Sequence, residues 1–253
     1  MIVNYKENGW QVITQRAHGI LAAQIGFQWR LQDRPERWME TLLAIAEHDD
    51  AENELDGETL VTKTGGPLNF SMKSFELKHC QKLSTLTRTK SRYIALLISM
   101  HMEFLYSQFE EKDPAAKTFL KEQTALQTQW RKDLNLSKEE THRIYNLLEW
   151  CDALSLLICK AEMQPEGRKS EISTGPDKKV YHLIQIDEQT LTVDPWPFQE
   201  KSFNIYFESR LIPQIQFESS LLFRQAFINA EVKEITWKVV KQKIAPTVRK
   251  VKS

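Results

Sequence analysis

Three apolar, helix-forming stretches of this chain are each broken by a residue type that normally avoids a core. They are Leu42-Leu43-Ala44-Ile45-Ala46-Glu47-His48-Asp49, Ile94-Ala95-Leu96-Leu97-Ile98-Ser99-Met100-His101-Met102, and Leu147-Leu148-Glu149-Trp150-Cys151-Asp152-Ala153-Leu154-Ser155-Leu156-Leu157. Burying an unpaired imidazole or carboxylate costs several kcal/mol, so such residues are normally paired or coordinate a metal. Three interrupted stretches, with His18 upstream, predict that separate helices bring these side chains to one shared cation.

The helices that must do this are legible in the sequence. Ile2 to Tyr5 and Trp10 to Thr14 flank Asn8-Gly9, a hairpin signal. A helix is expected over 16–29, with His18 in its first turn. A second should start with Asp33 as cap and Pro35 in its first turn, and end at His48-Asp49. Residues 50–69 have no helical period and read as a long loop of the kind that often forms a lid or binding wall. Helical pattern returns over 71–79, 90–109 and 114–131. Ser137 and Glu140 form a capping box that opens a helix over 138–161. After a Gly, Pro and charge-rich linker (164–179), the period becomes two, predicting four to six antiparallel strands, one of them over 216–223.

Composition limits the setting. Hydrophobic residues make up 41% of the 253 and charged residues 27%, a globular balance with material for a large core. Formal net charge is zero, so no global field favours nucleic acid or an anionic membrane. The basic tail 246–253 reads as a solvated end. Cys80, Cys151 and Cys159 form no even framework and read as small core residues in a reducing compartment. No signal-peptide pattern and no run of about 18 apolar residues is present, so a cytoplasmic protein with no membrane span is expected.

The order His18, His48-Asp49, His101, Asp152 resembles that of the HD-domain metal-dependent phosphohydrolase superfamily. That resemblance implies an imidazole and carboxylate site for Fe, Mn, Zn, Ni or Mg. In members with two metals a further pair of histidines lies in the interval that His79 and His101 occupy here. Asp49 is then the candidate catalytic residue, bridging or binding both ions, and a bound water is the nucleophile. Gln15 and Asp50, beside ligands in the sequence, and Arg88 and Arg92, suited to bidentate phosphate contact, are candidate substrate-binding residues. The chain departs from the HD pattern where Asp50 follows the His-Asp pair, and the lysine found near that pair in many phosphodiesterases is missing.

Ile13 to His18, Ala46 to Asp49, Leu97 to His101, Trp150 to Ser155 and Pro195 to Phe198 together resemble a bacterial family catalogued as domain of unknown function 3891. The HD resemblance, with the period-two pattern of the C-terminal third, leads to the expectation of a mainly α, HD-domain-like helical bundle with a small antiparallel sheet, built from the C-terminal third and open to the N-terminal hairpin. The expected division is an HD-like domain with the hairpin (1–165), an antiparallel β subdomain packed on it (166–245) and the tail. The expected function is a metal-dependent phosphohydrolase using one or two divalent metal ions on a small phosphorylated molecule or nucleotide. The alternatives are an HD-type di-iron oxygenase and a non-catalytic ligand-binding protein with a degenerate metal site. A small-molecule substrate, no nucleic-acid partner and no membrane are expected, and a homodimer is compatible with the composition.

Overall fold

The hairpin forms, with Glu7-Asn8 as its two-residue turn and Gly9 paired with Lys6, and glycine is required at position 9 for two reasons. Gly9 has φ +130°, and a Cβ on it would stand 2.2 Å from the carbonyl oxygen of Ile212. The hairpin, β1 (Ile2–Lys6) and β2 (Gly9–Ile13), therefore lies directly against a strand from the other end of the chain. The computed structural model describes residues 1–50, 54–72 and 75–242, so the tail expected over 246–253 lies outside the described residues.

Six α-helices follow the hairpin before the first C-terminal strand among the described residues, the first five being α1 (Gln15–Phe27), α2 (Trp38–Ala46), α3 (Leu77–Arg88), α4 (Arg92–Tyr106) and α5 (Pro114–Asp133). A sixth, α6 (Lys138–Cys159), runs beneath the sheet. Side-chain caps start many of them: Thr14 accepts from the Ala17 amide, Ser91 from Ile94, Asp113 from Ala115, and Ser137 from Glu140. The expected Asp33 cap is not used. Pro35 holds Arg34 extended (ψ 140°), Asp33 ends a short 3₁₀ turn, and α2 opens without a side-chain cap at Trp38. The helical pattern over 71–79 resolves into a 3₁₀ turn at Phe70–Met72 and then α3, which runs on to Arg88. Its buried stripe, Cys80, Leu83, Ser84 and Thr87, is half polar, which concealed the helix from a hydrophobic reading.

The fold is α/β, not a mainly helical bundle with a small sheet. Helix accounts for 48% and strand for 22%, and one curled, mixed sheet of seven strands forms a half-barrel. Its strands are β1, β2, β3 (Lys169–Thr174), β4 (Val180–Asp187), β5 (Thr190–Asp194), β6 (Ser202–Ile212) and β7 (Val232–Val240), in the order β1-β2-β6-β7-β5-β4-β3. Three features produced the difference. The linker region contains β3, and the N-terminal hairpin joins the sheet through β2 and β6. β7 inserts between β6 and β5, pairing antiparallel with one and parallel with the other. The strand expected over 216–223 is instead the start of α7 (Ser220–Asn229), capped by Ser219 and anchored by Phe223 and Phe227 four residues apart.

The main core lies between the sheet and the helices. Leu183, Leu191, Val193 and Ile205 meet Leu21, Ile25, Leu148 and Trp150 there. α4 is buried from Tyr93 to Met102 without interruption, as expected of a helix surrounded by others. Such a helix holds His101 at 1% exposure. No helix among the described residues is long and apolar enough to cross a membrane.

Candidate metal centre

Four elements deliver the site. His18 lies in the first turns of α1, His48 and Asp49 in the turn after α2, His101 near the end of α4, and Asp152 on α6. His18 is 0% exposed, His48 and His101 1% each, and Asp152 7%. Gly19 makes the meeting of α1 and α2 possible: a Cβ there would stand 2.3 Å from the Ala46 carbonyl oxygen. Any larger residue would push the His18 helix away from the His48 turn.

The polar atoms of this cluster converge. His18 Nε2 is 3.1 Å from His48 Nε2, and Asp152 Oδ1 is 3.2 Å from both. Asp49 Oδ2 lies 3.6 Å from His48 Nε2 and 4.0 Å from His18 Nε2. Asp152 Oδ2 stands 4.0 Å from His101 Nε2. Two sets, His18-His48-Asp49 and His48-His101-Asp152, each keep their ligand atoms within 4.8 Å of one another and share His48.

The supporting bonds fix how these groups present themselves. His48 Nδ1 lies 2.7 Å from the Ile45 carbonyl oxygen, one of the carbonyls a helix end leaves without a partner. Donation from Nδ1–H to that carbonyl leaves the Nε2 lone pair of neutral His48 facing His18 and Asp152. Gln15 Nε2 donates to Asp49 Oδ2 at 2.8 Å, and the Gln15 backbone N–H donates to Glu54 Oε2 at 2.7 Å. Tyr145, seven residues before Asp152 on α6, places its hydroxyl 3.4 Å from His101 Nδ1.

The charges of the cluster act strongly on one another. Burial works against the His48 imidazolium, but the facing Asp152 and Asp49 carboxylates outweigh it and raise it to about 10. Burial would raise Asp152, yet the His48 charge and bonds from His18 and His48 hold its carboxyl well below the usual range. Asp49 is lowered in the same way, by His48, His101 and His18 against burial. Burial, and then the charge of His48, push His101 down to about 4. In the protein alone, a proton on His48 therefore compensates the buried carboxylates.

The spacing of the same atoms can be compared with that of ligands around a divalent ion. With donors about 2.1 Å from a cation, neighbouring donors stand about 3.0 Å apart in an octahedron and about 3.4 Å apart in a tetrahedron. The 3.1–3.2 Å triangle of His18, His48 and Asp152 falls in that interval. Imidazole nitrogens and carboxylates without a thiolate suit Fe, Mn, Zn or Ni. The buried His/Asp groups can hold a metal ion, and the chemistry of the donor set matches one.

A cavity of about 260 Å³ opens beside the cluster, with Asp49, His101, Asp152, Gln15 and Glu54 among its lining residues. His79 lines this cavity too, but it is not in either converging set among the described residues. Of the other expected substrate contacts, Gln15 lines the cavity, while Asp50 is bonded to the Arg16 guanidinium at 2.6 Å. Arg88 is exposed at the end of α3, and Arg92 opens α4 and pairs with Asp133 at 3.1 Å, so neither lines the cavity. Glu54 and Tyr145 were not singled out in the sequence. Tyr145 was findable, because 145, 149, 152 and 156 form one helical stripe.

No curated protein and no solved structure matches the chain. The HD-domain resemblance finds no support in these comparisons. A family model described as "Protein of unknown function (DUF3891)" matches residues 1–214, most of the chain and every residue of the cluster. The chain is a member of the DUF3891 family.

Proposed function

We propose that the protein is a metal-dependent hydrolase acting on a small phosphorylated molecule in the cavity beside Asp49. The observation that carries this reading is the buried triangle of His18 Nε2, His48 Nε2 and Asp152 Oδ1, whose sides match neighbouring ligands of one cation. His18, His48, Asp49 and Asp152 would hold the ion, with His101 adjacent. The ion would supply Lewis-acid polarisation and lower the pKa of water to near neutrality.

The chain's own residues do the rest. Asp49 is 26% exposed, against 11% for the Asp152 side chain, and it lines the cavity, so it is the carboxylate a substrate meets. Gln15 fixes its orientation. Asp49 is therefore placed to receive a proton as water adds to phosphorus and the bond from phosphorus to the alcohol oxygen breaks. The burial of α4 and α6 keeps bulk water from the ligands' other side.

Metal analysis of freshly purified protein, beside a His48→Ala variant, tests the centre. Stoichiometric metal in the parent and its loss in the variant is the expected outcome, and equal content in both would refute it. A second reading, oxygenation at a pair of irons, is favoured by one feature: no Lys or Arg side chain lines the cavity among the described residues. Iron content with a mixed-valence signal on partial reduction would select it. Turnover of phosphoesters with Mn would select hydrolysis.

A further inference from the structure

The cavity lining is chemically mixed. It carries the carboxylates of Asp49, Glu54 and Asp152. It also carries Phe70, Leu105, Tyr106, Phe109 and Leu156, with Leu105 and Leu156 one helical turn beyond His101 and Asp152. These five are each only half-buried, and all of them line the cavity. Apolar surface left open at the wall of a binding site gains free energy only when another apolar surface covers it.

We propose that the site is specific for a phosphomonoester of a small apolar alcohol or phenol, and that it discriminates against nucleotides and other polyanions. This specificity rests on the hydrolase reading above. The phosphoryl head lies toward Asp49 and the ligand cluster, and the apolar body covers Leu105, Tyr106 and Phe109. Two observations support it together. At about 260 Å³ the cavity lies below the roughly 300–1,000 Å³ typical of sites for drug-sized ligands. Its described lining holds three carboxylates and no Lys or Arg side chain, and the Met1 ammonium that also lines it is paired with Glu54, so further phosphates meet acidic groups and no guanidinium or lysine. The reaction balances without a co-reactant: the oxygen of water bonds to phosphorus, the ester bond on the alcohol side breaks, and a proton from water ends on the released alcohol.

Equilibrium binding separates this inference from the hydrolase reading, because phosphonates resist hydrolysis. Affinities of phenylphosphonate, methylphosphonate and AMP would be measured on metal-loaded full-length protein by calorimetry, beside kcat/KM for phenyl phosphate and glycerol phosphate. Phenylphosphonate should bind about tenfold or more tighter than methylphosphonate, the scale of burying one phenyl ring. AMP should bind more weakly than either. In Phe109→Ser and Leu105→Asn the phenyl preference should shrink several-fold while metal content stays unchanged. Equal binding of the two phosphonates, tighter binding of AMP, or no binding of any of them would overturn the specificity. Phenyl-selective binding without turnover of either phosphate ester would uphold the cavity assignment and defeat hydrolysis instead.

Discussion

His48 occupies the most constrained position in the molecule: its Nδ1 is tied to a helix-end carbonyl and its Nε2 faces another imidazole and a carboxylate. Such a residue carries a pH signature. With the metal removed, its folded pKa of about 10 exceeds the ordinary 6.5, so its stabilisation is complete below about pH 6.5 and lost as pH climbs toward 10. His101 acts oppositely. Its folded value near 4 means that protonating the unfolded chain erodes stability as pH falls from 6.5 toward 4. The melting temperature of chelator-treated protein should therefore peak near neutrality and fall on both sides. In His48→Ala the alkaline fall should flatten, and an unchanged alkaline limb in that variant would contradict the assignment. Gln15 gives a second residue-level test. It orients Asp49, so Gln15→Ala should weaken metal affinity by about 10–100-fold with little change in fold. A competition titration with a chelating dye measures this, and unaltered affinity would remove Gln15 from the site.

At the scale of elements, the centre depends on how closely α1 meets the end of α2. Gly19 sits at that crossing, and Gly19→Ala would force its Cβ against the Ala46 carbonyl. Overpacking of this kind costs about 1–3 kcal/mol, and it should also reduce metal affinity because it separates His18 from His48. Urea denaturation and metal titration of the same variant check both parts. Thr14 caps α1 four residues before His18. Thr14→Ala should cost about 1 kcal/mol, with a smaller effect on the metal than Gly19→Ala because frayed ends move less than crossed helices. The sequence showed helical spacing around three of the ligands but did not reveal α3 beyond His79, since a stripe of Cys, Leu, Ser and Thr gives little hydrophobic contrast. It also showed a strand where Ser219 starts α7, because a short apolar run fits either period.

At the scale of the whole molecule, the sheet ties the two ends of the chain together. β2 pairs with β6, and β6 lies over α1, which carries His18. Ile205, 1% exposed in the first half of β6, packs into the core shared with the helices. Ile205→Ala should cost about 2–5 kcal/mol. If sheet and helices unfold together, far-UV circular dichroism and tryptophan fluorescence should give coincident transitions in both parent and variant. Separate transitions would show that the helical and sheet portions are independently stable.

The chain alone determined which residues must be shielded from water and therefore paired. Histidines and acids set in apolar helical runs have few stable solutions, so His18, His48, Asp49, His101 and Asp152 were recognisable before any coordinates. Local chemistry also fixed the hairpin at Asn8-Gly9 and the caps at Ser91, Asp113 and Ser137. Tertiary structure decided the sheet. Strand partners far apart in sequence are chosen by packing and by the entropy of closing long loops, neither of which leaves a local pattern. It also decided who lines the cavity. Arg88 and Arg92 had suitable chemistry but were placed elsewhere, while Glu54 arrived from a loop with no period, because position in space depends on the path of the whole chain.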